Sequence, residues 1–163
     1  MGLMIPGELA ALLNELGYTW PMSDETKMME LGQAWFEMTA PLDAAVAGSE
    51  SAVSAMVQHN RSGDVQAFLN RWGGDDEALA VLRDAAVGSQ AVGATLIVCA
   101  MIVLALKINV IVQLTILLIQ IIQAIATAAV TFGASLLEIP IFKKLTDLVI
   151  DLLIDQAIGV VLG

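Results

Sequence analysis

Phe68-Leu69-Asn70-Arg71-Trp72-Gly73-Gly74-Asp75-Asp76-Glu77 (FLNRWGGDDE) separates two long stretches of apolar periodicity, and its chemistry is that of a chain reversal. Phe68 and Trp72 are four apart, so on a helix they stack on one face. Gly73 and Gly74 admit the left-handed conformation that ends a helix and turns the chain. Asp75, Asp76 and Glu77 place negative charge at the start of the next helix, where its dipole favours it. A bulky anchor followed by a hinge predicts a helical hairpin, with Phe68, Trp72, Gly73 and Gly74 as its turn and interaction residues.

Upstream, Pro6-Gly7 opens a short helix, Glu8 to Leu16, closed by Gly17. Tyr18-Thr19-Trp20-Pro21 breaks helicity, because the residue before proline avoids the α region. Ser23 is the expected N-cap of the next helix, with Asp24 and Glu25 in its first turn. Leu31, Trp35, Met38, Leu42, Ala45, Ser49, Val53 and Met56 then follow at the alternating three- and four-residue spacing of a coiled-coil seam. Trp35 is the large aromatic of that seam and joins the candidate interaction residues. Pro41 should kink or split the helix. The helix ends near His59–Gly63, after which Asp64 is expected to cap a short helix from Val65 to Arg71.

Downstream, the helix after Glu77 begins amphipathic and turns almost wholly apolar after Gly93; residues 108–137 carry no charged side chain. Length alone would make that run transmembrane. Its polar residues complicate the picture. Asn109, Gln113, Gln120, Gln123, Thr127 and Thr131 fall within roughly 80° on a 3.6-residue wheel, so one narrow face carries every amide. Phe132-Gly133-Ala134 ends the helix, Ser135 with Glu138 reads as a capping box, and Pro140 suits a helix start.

The last helix carries Lys143, Lys144, Asp147, Asp151 and Asp155 as one stripe on a Leu/Ile/Val cylinder. In an antiparallel hairpin turning near residue 136, Asp151 stands level with about residue 121 and Asp155 with about 117. Asn109, Gln113, Gln120, Asp151 and Asp155 would then share a wetted seam. Lys107 lies opposite the amides and about 15 Å away along the axis, out of reach of those acids. It is expected to end the buried region or to meet another subunit.

The 163 residues carry a net charge of −10, which excludes nucleic acid as a partner. Residues 1–89 hold thirteen acids against four bases, whereas 90–163 hold four against three. An acidic amphipathic region (1–89) is thus joined to an apolar helical hairpin (90–163), expected as one continuous structural unit. Cys99 is the lone cysteine and His59 the lone histidine, so neither a disulfide framework nor a Ser-His-Asp site is available. Asp147, Asp151 and Asp155 at i, i+4 spacing form the ordinary solvated face of a helix, with no histidine to complete a carboxylate metal set. Asp75-Asp76-Glu77 lacks the spacing of a calcium loop. Asn60-Arg61-Ser62 matches a glycosylation sequon, but no secretory signal precedes it. No catalytic, cofactor or metal site is expected, and the chain is not read as an enzyme.

The opening MGLMIPGELAALLNELGYTWPMSDETKMMELGQAWFEM, the GYTWP break at 17–21, LGQAWFEM at 31–38, the Trp72-Gly73-Gly74 turn and the apolar LALKINVIVQLTILLIQIIQAIATAAVTFGAS together resemble the WXG-type helical hairpins of type VII (ESX) secretion. Within them the chain looks closest to the WXG-like N-terminal domain of actinobacterial polymorphic toxins, including the outer-membrane-channel (CpnT-like) type. The resemblance implies an all-α fold, an elongated helical hairpin or bundle with a long apolar central helix and a C-terminal antiparallel helix. It also implies a non-enzymatic leader module of a toxin-like protein, working through homo-oligomerisation or packing with a WXG-type partner or the secretion machinery. Export by a type VII-like route without a cleavable signal, or association with the cell envelope, goes with it, the chain being cytoplasmic beforehand. Two features depart from that pattern. The only tyrosine, Tyr18, is followed four residues later by Met22 rather than by the acid of a Tyr-x-x-x-Asp/Glu export signal, and the second half is greasier than a soluble member requires. The alternative reading from the uncharged run is a membrane-inserting or pore-forming helical protein, with the amides facing a bundle interior or pore.

Overall fold

The computed structural model describes every residue except Met1, Asp76 and Gly163. Among the described residues the chain is all helix and turn. Its elements are α1 (Gly7–Glu15), α2 (Glu25–His59), α3 (Gly63–Trp72), α4 (Ala78–Thr127), a 3₁₀ turn (Ala134–Glu138) and α5 (Ile139–Leu162). The expected all-α class, with a long apolar central helix, is what the structure shows. Two compact units divide it: residues 1–27 with 99–163, and residues 28–98.

In the first unit, α1 supplies Leu9, Leu12 and Leu13, which pack with Val110, Leu114 and Leu117 of α4 and Ile150 of α5. The spacing of each set keeps it on one side of its helix. Gly17, at φ 93°, ends α1 as the sequence suggests: its N–H donates to the Asn14 carbonyl, and the Tyr18 N–H donates to that of Leu13. The helix reversal puts Trp20 and the start of α2 beside Lys107.

Lys107 departs from expectation. It neither ends the buried region nor waits for another subunit; it is 2% exposed and paired with Glu25, Nζ to Oε2 at 2.8 Å. Nζ also donates to the Ser23 carbonyl at 2.5 Å and lies 5.7 Å from the centre of the Trp20 ring. The second Glu25 oxygen accepts the Leu3 N–H, and the Trp20 indole N–H donates to the Leu3 carbonyl. A wheel of α4 could not find this partner, because Glu25 is more than eighty residues away and becomes a neighbour only when α1 folds back. Asp24, not Ser23, caps α2, its carboxylate accepting the Lys27 N–H at 3.2 Å; the Ser23 carbonyl is engaged by Lys107 instead.

Burial alone would raise the Glu25 carboxyl. The bonds from Lys107 and from the Leu3 N–H overcome it and hold the group down at about 2, against an ordinary 4.5. A depressed carboxyl contributes stability that is complete above its unfolded pKa and disappears as the folded one is crossed. Acid titration followed by circular dichroism should therefore show stability falling between about pH 4.5 and 2, and Glu25→Gln should flatten that part of the curve.

The α4–α5 connection also differs from expectation. Helix α4 stops at Thr127 rather than running to Phe132, and Phe132 (φ 52°) and Gly133 (φ 84°) both adopt left-handed backbone. Ser135 does not form the expected box with Glu138. Its hydroxyl is buried and donates back to the Ala124 carbonyl at 2.7 Å. The longer connection slides the register: Leu106 shares a groove with Ile154, and Asn109 shares one with Leu153 and Gln156. A tight turn at 136 would have set Asp155 beside residue 117. Pro140 does stand in the first turn of α5.

In the second unit, α2 runs unbroken through Pro41. Pro41 and Glu37 are both exposed, so the carbonyl freed by the missing N–H lies at the surface. The inward face is not quite the expected seam. Trp35, Leu42, Ser49, Val53 and Met56 are at least half-buried, but Leu31, Met38 and Ala45 are exposed, and Gly32 and Thr39 are buried instead. Small residues win because α4 comes very close. A Cβ on Gly93 would stand 2.8 Å from the Gly32 carbonyl oxygen. One turn-pair along, Thr39 donates to the Ser89 hydroxyl at 2.9 Å, and Ser89 donates to the Ala86 carbonyl.

Candidate functional site

Beyond that crossing, α2, α3 and the start of α4 enclose an open groove of about 620 Å³. Its walls follow from helical spacing. Helix α2 presents Glu50, Val53 and Val57; α3 presents Leu69 and Trp72; α4 presents Leu79 and Arg83, each set on one helix face. Val53, Val57, Leu69, Trp72 and Leu79 form an apolar floor, while Glu50, Ser54, Gln58, Asp75 and Arg83 supply a polar rim. Arg83 is ion-paired with Glu50. Both side chains are about half exposed, so the pair adds little stability but fixes where rim charge sits. Asp75 makes no ion pair among the described residues, which leaves the rim acidic.

Phe68 and Trp72 stack as their spacing suggests, ring centres 5.5 Å apart and planes at 26°. The two glycines act differently from expectation. Gly73 has φ −88°, and among the described residues the only glycines in left-handed backbone are Gly17 and Gly133. Space is what Gly74 contributes: a Cβ there would meet the Arg71 carbonyl oxygen at 3.2 Å and the Glu77 side chain at 3.3 Å. Arg71 Nε bridges the turn to Glu77 Oε1 at 3.4 Å. Ser62 rather than Asp64 caps α3, accepting the Val65 N–H, because the helix begins one turn-step earlier at Gly63. Asp75 and Glu77 precede α4 as expected; Asp76 lies outside the described residues.

Phe68, Trp72, Gly73 and Gly74 thus come together at one turn, three of them lining the groove. Trp35 is half-buried on α2 and does not line it. Asn109 is exposed; Gln113 and Gln120 are half-buried on α4. Asp155 is exposed, while Asp151 faces Tyr18 rather than the amides. The Tyr18 hydroxyl lies 2.6 Å from Asp151 Oδ1 and 2.8 Å from Asp147 Oδ1. Burial and then the two carboxylates push this phenol far above its usual range, so it acts only as a donor. Lys144 beside it, followed by the phenol, holds the Asp147 carboxyl below its usual value. Among the described residues no three His, Cys, Asp or Glu side chains converge as a metal would need. Sequence reasoning missed Glu50 and Arg83, which sit on different helices and show no pattern until those helices pair.

An all-helical chain in which a short helix and a Trp-x-Gly turn stand between two long helices, α2 and α4, is a module of the WXG class. The model of the WXG100 like domain matches residues 5–142, and the chain belongs to that family. No curated protein and no solved structure matches it. Members of the family are in general non-enzymatic proteins of type VII secretion that lack signal peptides, and they typically form helical dimers or partner complexes.

Proposed function

We propose that this chain is a helical assembly module, the leader domain of a type VII-secreted toxin-like protein, and that it works by taking a partner helix into the groove beside Trp72. The groove itself carries the reading: an apolar floor of Val53, Val57, Leu69, Trp72 and Leu79, rimmed by Glu50, Asp75 and Arg83. An amphipathic helix with bulky residues at i and i+4 and a lysine or arginine at its edge fits that chemistry. The half-covered helices add a second reason for assembly. Ile108, Val112, Ile116 and Ile119 of α4 and Leu145, Leu148 and Leu152 of α5 are all exposed, more apolar surface than an isolated soluble chain ordinarily shows.

Size-exclusion chromatography with light scattering tests this directly. The full chain should run as a discrete oligomer, or as a stable complex with a co-expressed partner, in detergent-free buffer. Trp72→Ala should abolish the assembly while far-UV circular dichroism stays helical. A well-behaved monomer that ignores partners would remove the reading.

A further inference from the structure

We propose that the turn between α4 and α5 is a shallow membrane-docking finger, anchored by Phe132, whose occupant is the interfacial layer of a lipid bilayer. This rests on the first unit alone and is independent of the groove. Phe132 is 100% exposed, with Val130 at 81% and Leu137 at 76% beside it. No charged residue occurs from 108 through 137. Phe132 also adopts φ 52°, a region that glycine, asparagine and aspartate tolerate and a bulky residue resists. A fully exposed aromatic in strained backbone returns nothing to folding in water, and such an outlier points to use elsewhere.

The hydrogen bonding of the turn agrees. Thr127, Thr131 and Ser135 direct their hydroxyls inward, to the carbonyls of Gln123, Thr127 and Ala124. The N–H groups of Val130, Gly133 and Leu136 donate to carbonyls of the same turn, and that of Ser135 donates to Thr131 Oγ1. Such internal pairing lowers the cost of bringing most of this backbone close to an apolar phase, while the Phe132 N–H, which has no acceptor among the described residues of the turn, keeps the tip at the hydrated interface.

Charge limits the depth. Glu138 follows the turn at once, and Lys144 stands only about 8 Å along α5 from its first residue. That allows the 5–10 Å of an interfacial anchor and not a crossing. Phe132, Val130 and Leu137 give the tip an apolar set of exposed side chains, which is what the interfacial layer of a bilayer takes up. With a net charge of −10, the docking is not driven by anionic headgroups.

The test uses the full chain with vesicles of neutral phosphatidylcholine. In Phe132→Trp, the emission in excess of the wild-type signal should shift blue on adding vesicles and be quenched by brominated acyl chains. Phe132→Asn should relieve the backbone, keep or raise the thermal midpoint in buffer, and cut vesicle flotation about tenfold. The proposal fails if the added tryptophan does not respond to vesicles, or if Phe132→Asn floats as well as wild type. It fails equally if the blue shift appears without lipid as protein concentration rises, which would make the occupant another protein surface.

Discussion

Lys107→Met should lower the thermal midpoint by roughly 10 °C, the largest single loss expected in the first unit. Lys107 is packed beneath Trp20 with only Glu25 and the Ser23 carbonyl as hydrogen-bond partners. Removing it strands a carboxylate that is 6% exposed. Breaking one side of such a pair costs about 3–5 kcal/mol, and a domain of this size loses about 2–4 °C per kcal/mol. Joining it with Glu25→Leu should recover much of the loss, because the desolvation cost of both charges then disappears. Recovery would be incomplete, since the Leu3 N–H loses its acceptor. Thermal unfolding of the two single variants and the double variant closes the cycle. A double variant as unstable as Lys107→Met would show that packing around Trp20, and not the stranded charge, sets the cost.

Gly93→Ala should destabilise by about 2 kcal/mol while Gly88→Ala, five residues earlier on the same helix, should stabilise by about 0.5–1. Alanine is intrinsically the better helix former at both places. At Gly88 nothing lies within 4 Å of a new Cβ, so only that gain acts. At Gly93 the Cβ would come to 2.8 Å from a backbone oxygen of Gly32 and 3.1 Å from Phe36, and a helix must move to admit it. Overpacking of that kind costs about 1–3 kcal/mol or more and outweighs the propensity gain. Urea unfolding of both variants decides the matter, and equal signs would mean that α2 and α4 do not cross this closely.

Much of the fold was legible in sequence because the periodicity is local. Gly17 and the break at Trp20-Pro21 mark α1, and the Phe68–Trp72 spacing marks the turn. What escaped was set by pairings between distant residues. Hydrophobicity points to Leu31 and Met38 on the inner face of α2, whereas Gly32 and Gly93 let the backbones meet and turn the face toward small residues. The slip of α5 along α4 came from Thr127 ending its helix early, and no capping pattern announced it. Among the candidate residues, Phe68 and Trp72 could be placed from spacing alone. Asp151 could not, because its neighbour is a tyrosine from the other end of the chain.

The first unit is discontinuous along the chain, residues 1–27 being completed only by 99–163. During synthesis Leu9, Leu12, Leu13 and Glu25 leave the ribosome without the residues they will pack against. At ordinary elongation rates of about 5–20 residues per second they wait on the order of ten seconds. Residues 28–98 form a unit that is continuous along the chain, so its contacts become available within that interval. The order of the chain thus sets the order in which contacts become possible: those around the Trp72 groove come first, while the opening segment stays accessible until α5 has emerged.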